Sequence, residues 1–182
     1  MNLKSISRRL IPLRWQRVGN NEPLSMVLLL RSPHFFGTDE VRLAAERAWH
    51  VSFAGGKGSM HAVVQSGDAM LLKAGSHVLN FLNYPKPYID DPKSNLTWLP
   101  ELSQQRAWSE HVACVGVDYL NSETDVELGY CILAKLISEL INENCAAVFV
   151  PRENTLIPHD GSLYLELHKM ASSRDSGVVP AT

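Results

Sequence analysis

Two stretches of this chain read alike, and together they limit the fold more than any other feature. "VLLLRSPHFFGTDEV" (27–41) lies over "VGVDYLNSETDVEL" (115–128) with their Thr-Asp pairs matched. In each, a short apolar run passes through a polar connection into a helical pattern, and further apolar runs follow. The order strand, loop, helix, strand, strand thus occurs twice, over 24–82 and 111–158. Two βαββ-like units most simply give an α+β domain: one mixed or antiparallel sheet with helices mainly on one face, of ferredoxin-like type.

The individual elements follow from period and punctuation. "SMVLLLRS", between Pro23 and Pro33, reads as a buried strand. "TDEVRLAAERAWH" puts Val41, Ala44, Ala45 and Ala48 on one helical face and lets Arg42 pair with Glu46. Thr38 is expected to cap it, with Asp39 and Glu40 at the positive end of its dipole. "HAVVQSGDAMLLKAG" reads as two strands around an SGD turn, and "SHVLNFL" as a third. "LSQQRAWSEH" reads as a short helix and "VACVGVDYL" as a strand. "TDVELGYCILAKLISELINEN" is the clearest helix, striped by Val126, Tyr130, Leu133, Ile137 and Ile141. Thr124 and Glu127 fit a capping box, and Asn144 can close the far end. "CAAVFV" and "NTLI" supply further strands, and "GSLYLELHKMA" a last helix with Leu163, Leu167 and Met170 on one side.

The ends behave differently from this body. Lys4, Arg8, Arg9, Arg14 and Arg17 give the first 21 residues a charge of +5, and since the whole chain carries −2 the remainder carries −7. Residues 1–22 are therefore read as a basic, flexible arm, 23–171 as one α+β domain, and 172–182 as a loose tail. Arg-rich, acid-free composition also fits a mitochondrial transit segment, although Pro12 breaks its helix. Cys114, Cys131 and Cys145 are odd in number and sit in apolar surroundings, which reads as reduced core thiols and a cytoplasmic setting. No apolar run approaches membrane-spanning length, so no membrane is expected as a partner.

Chemistry is harder to find. "FAGGKGSMH" looks like a phosphate cradle, but Val51 stands where a P-loop needs its first glycine, and the order of helix and strand is inverted. It reads as a chain reversal, with Lys57 at its centre facing a ligand. His61, His77 and His111 each stand at the head of a strand. If those strands are neighbours, the three imidazoles converge for acid–base work near neutral pH. Zinc-type spacings are missing, and Asp118, Glu123, Asp125 and Glu127 crowd a strand-to-helix junction where dipole effects alone favour acids. No metal and no cofactor are expected. Neither Cys114 nor Cys131 has a basic neighbour, and no nucleophile elbow occurs. The segment "NYPKPYIDDPKSNLTWLP" has four prolines and no period, which marks a long folded surface loop. Tyr84, Tyr88 and Trp98 on it are candidate ligand- or partner-binding residues, together with Lys57.

"EHVACVGVDYL…DVELGYCILAKLISELINENCAAVFVPRENTLIP" resembles an uncharacterised, mostly bacterial family of domains of unknown function (DUF4261-like). A His-led strand, a helix containing "LAKL" and an Ala- and Val-rich strand ending near a proline carry that resemblance. It implies no activity, since the family carries no assigned catalytic residues, and it implies a bacterial cytoplasmic protein over a mitochondrial one. The leading expectation is a non-enzymatic module that binds a protein or small ligand, with a homo-oligomer left open. One alternative is a hydrolase-type enzyme using His61, His77 or His111 with nearby acids. The other is an RNA-binding module held by the basic arm, which the −7 body and the missing ribonucleoprotein pattern disfavour.

Overall fold

The computed structural model describes residues 23–55, 59–66, 69–94, 96–121 and 125–174. The expectations placed on residues 1–22, Lys57, Glu123, Thr124 and 175–182 lie outside these.

Strand β1 (Leu24–Leu30) explains the layout, because all seven of its residues are buried. An apolar run without alternation has to be covered on both faces, and it is. β1 pairs antiparallel with β5 (Ala113–Tyr119) from Leu24↔Tyr119 to Leu30↔Ala113, and on its other side with β6 (Cys145–Val150). The remaining strands are β2 (His61–Ser66), β3 (Ala69–Ala74), β4 (His77–Tyr84) and β7 (Thr155–Pro158). The sheet runs β2-β3-β4-β5-β1-β6-β7, and every neighbouring pair is antiparallel. β3 and β4 are joined by a two-residue turn whose first position is Gly75 at φ 64, the residue a type II′ hairpin turn demands there.

Even-numbered residues of β1 (Met26, Leu28, Leu30) enter one core with Val115, Val117, Leu79, Phe81 and Val148. Three helices supply the other side of that core: α1 (Thr38–Trp49), α3 (Val126–Leu140) and α4 (Leu163–Ala171). α3 lies between α1 and α4 and against the sheet, so it is apolar nearly all round and not on one stripe alone. Burying Ile132, Leu133, Leu136, Ile137 and Leu140 contributes on the order of 10 kcal/mol before chain entropy is counted. Gly129 makes this approach possible, since a Cβ there would sit 2.4 Å from Leu24 Cδ1.

Odd-numbered Val27 and Leu29 face the opposite way, into a second core with Cys114, Ala147 and Phe149. Its cover is the fourth described helix, α2 (Leu102–Glu110), through Ala107 and Trp108, and the proline-rich loop before it, through Tyr88 and Leu99. The second face of β2 and β3 is left without cover from described residues, and Val64, Leu71 and Lys73 are exposed there.

Caps differ from expectation. The N-cap of α1 is Gly37, and Thr38 is already helical. α3 is capped by Asp125, whose carboxylate accepts from the Glu127 and Leu128 amides at 3.0 and 3.4 Å. α3 stops at Leu140, so Asn144 does not close it. Its side chain instead accepts from Ser32 N–H and Oγ at 2.8 Å each and donates to the Ser32 carbonyl, tying the end of β1 to the turn before β6.

Candidate functional site

The histidines do not meet. His61 pairs in register with Ala74, and Ala74 with His77, so both stand in one row on the helical face of the sheet, two strands or about 10 Å apart. His77 Nδ1 lies 2.7 Å from the Tyr119 hydroxyl at the last residue of β5, while His61 packs against the Phe53 ring. His111 precedes the other end of β5, about 30 Å from His77 along the strand, and packs on Trp108 of the second core. Opposite ends and opposite faces separate it from the other two.

His111 is a structural residue. It is 1% exposed, its Nδ1 bonds the Trp108 carbonyl at 2.5 Å, and its Nε2 accepts the Tyr88 amide at 3.0 Å. One nitrogen must donate and the other must accept, so only the neutral Nδ1–H tautomer fits. Burial lowers its pKa below the usual imidazole value, against a smaller opposite effect of the Trp108 carbonyl. A positive, proton-shuttling role has no room here.

Of the loop aromatics expected to bind a ligand or partner, Tyr88 is turned inward, while Tyr84 and Trp98 are half-buried. Tyr88 is buried, and Trp98 stacks edge-on against Trp108 and Phe149, with ring centroids 5.0 and 6.0 Å away. Tyr84 is half-buried and packs against the same cluster. The reason is area: α2 is only nine residues long and cannot cover β1 and β6 by itself, so the loop completes the layer. All three cysteines are free and buried, and burial pushes the Cys114 and Cys145 thiols up to about 12. In the glycine stretch, Gly55 has a packing role, since a Cβ there would lie 2.7 Å from the His61 carbonyl. Among the described residues no three His, Cys, Asp or Glu side chains are placed to hold a metal ion.

A cleft lies instead at the β7 edge of the sheet, where the two layers meet. It is an open cleft of about 430 Å³, within the size range of small-ligand pockets. Val150, Leu156, Ile157, Pro158 and Met170 supply an apolar lining, with Tyr130 of α3 among them. Glu101 before α2, Glu153 in the β6–β7 turn and Glu166 of α4 add three carboxylates, and no lining residue is basic. The turn itself, from Pro151 to Asn154, is closed by an Asn154 N–H to Pro151 carbonyl bond, with Asn154 left-handed at φ 49. Asparagine tolerates that conformation better than most residues. The edge is protected where Gln104 Nε2 donates to the Leu156 carbonyl at 3.1 Å.

Two polar groups in this cleft have no protein partner among the described residues, one buried and one exposed. Tyr130 is 8% exposed, and its hydroxyl is enclosed without a hydrogen bond from any of those residues. Burial pushes its phenol up to about 12, the Glu153 charge adds to that, and Arg152 opposes it. The Glu153 carboxylate has no hydrogen bond or ion pair among the described residues, whereas Glu166 is paired with Lys169 at 2.8 Å and Glu101 serves the cap of α2.

Sequence reasoning placed Tyr130 on the apolar stripe of α3 and passed over Glu153. One signal was present. A tyrosine on a buried stripe carries a hydroxyl that needs a partner, and of its neighbours along α3 only Glu127 could supply one, a side chain that instead meets Arg174.

No protein-family model, curated protein or solved structure matched this chain in the comparisons made. No described helix is long and apolar enough to cross a membrane.

Proposed function

We propose that this chain is a non-enzymatic α+β ligand-binding module whose seat is the cleft along β7. The observation that carries the reading is the enclosed, unpartnered Tyr130 hydroxyl in a cleft of about 430 Å³. A buried hydroxyl without a partner costs about 1–3 kcal/mol, a cost that a ligand's hydrogen bond would remove. The hydrolase alternative has no comparable support, because His111 stands apart from His61 and His77 and its two nitrogens are committed to the backbone. The RNA-binding alternative rests on residues 1–22 and draws nothing from the cleft.

We also read the four central strands as a ferredoxin-like core made of two related units. The order β4-β5-β1-β6 supports this, with β5 lying between β1 and β4 and β1 lying between β5 and β6. α1 follows β1 and α3 follows β5, and both helices pack in the same core. On this reading β2, β3 and β7 are additions at the two edges, and the cleft belongs to the added edge.

The test is amide chemical-shift mapping of the full chain against a mixed library of amine, acid and neutral fragments. Shifts should gather at residues 101–104, 150–158 and 162–170. Shifts gathering around His61 and His77 instead would move the site away from β7.

A further inference from the structure

We infer that the cleft binds a small organic cation, an ammonium or guanidinium group on an apolar stem, held between Tyr130 Oη and the Glu153 carboxylate. This rests on the cleft being the binding seat. Three observations select the ligand's chemistry. The phenol is buried without a partner among the described residues, the Glu153 carboxylate is exposed with no protein partner among them, and a cationic N–H group can donate to either. A carboxylate accepts only, so a ligand acceptor cannot satisfy Glu153.

The second observation is charge. Glu101, Glu153 and Glu166 line the cleft with no basic side chain among the lining residues, and since only Glu166 is offset by an ion pair, to Lys169, an anionic ligand would enter against net negative charge. Arg152 stands on the same turn, exposed and without an ion pair among the described residues, and its charge only partly offsets that of Glu153 at the phenol. The third is the apolar wall. Val150, Ile157 and Met170 offer a methylene stem the surface it needs, in the way that Lys and Arg stems lie along apolar surface with the charge held at one end. Tyr130 keeps its proton at neutral pH and so remains a hydrogen-bonding phenol whose oxygen is free to accept.

The experiment is calorimetric titration of the full chain with n-hexylamine, agmatine, n-hexanol and hexanoate, each also followed by amide shifts. The two cations should bind at least tenfold more tightly than hexanol, with shifts at residues 150–158, and hexanoate should not bind. Tyr130→Phe and Glu153→Gln should each weaken agmatine about tenfold while hexanol is unaffected. Hexanol or hexanoate binding at these amides as tightly as the amines overturns the cation assignment and leaves the cleft as the seat. No shift at these amides with any probe overturns the cleft itself. An acetylated, amidated Leu-Arg-Leu peptide is the remaining arm: tighter binding than agmatine overturns a free amine in favour of a protein side chain.

Discussion

His111 shows how one residue type can carry opposite meanings. At the head of a strand it has the appearance of a catalytic imidazole, yet its ring joins the Tyr88 amide to the Trp108 carbonyl and so fixes the loop to α2. Its pKa is lowered in the fold, so the unfolded chain binds the proton more readily. The stability it contributes is full above the unfolded value of about 6.5 and is lost as pH falls below that toward the folded value. The wild-type melting temperature should therefore fall on acidification below about pH 6.5, and His111→Gln should flatten that dependence. An unchanged acid slope in the variant would assign the slope to other groups. His111→Ala should cost about 1–3 kcal/mol at pH 7.5, because it removes both buried hydrogen bonds of the ring, to the Tyr88 amide and the Trp108 carbonyl. Tyr130 and Glu153 belong to the same scale. Their identities were plain in the sequence, but the meeting of a helix residue with a turn 23 positions later depends on strand pairing, which no local pattern encodes.

At the scale of elements the sequence was most legible, and the reasons are local. β1 and β5 announce themselves as apolar runs, and α1 carries the expected Arg42–Glu46 pair at 3.2 Å. Caps were less legible because several adjacent residues can take the N-cap at each helix start, and only φ, ψ geometry decides which stands outside the helix: Gly37, not Thr38, at α1. In α3 it is Asp125, which also meets the Arg174 guanidinium. Asp125→Ala should destabilise the chain by about 1 kcal/mol, and Asp125→Asn should recover most of that, since asparagine caps as well as aspartate. Equal losses in both variants, read from denaturant midpoints, would assign the effect to the Arg174 contact and not to the cap. The proline-rich loop misled for a different reason. Prolines and aromatics in one aperiodic segment describe both a partner surface and a cover for a sheet too wide for its one helix. Tyr88 and Trp98 take the second role.

The described residues form a seven-stranded antiparallel sheet with a core on each face, three helices on one side and a helix with a long loop on the other. α+β class followed from alternating patterns, but strand order did not, and order decides both why the histidines fail to meet and why a cleft opens at β7. Elements from both layers reach past that edge: α2 from one face, α3 and α4 from the other. The space between them encloses the Tyr130 hydroxyl without a partner, and on this account the hydroxyl is kept for a ligand and not for the fold. Thermal unfolding of Tyr130→Phe tests that claim most directly. A phenol with no internal bond contributes nothing to stability, so the variant should melt at the wild-type temperature or a few degrees above it. A midpoint lowered by about 3 °C or more, equivalent to roughly 1 kcal/mol in a chain of this size, would mean that the hydroxyl has a partner within the fold and would contradict the account.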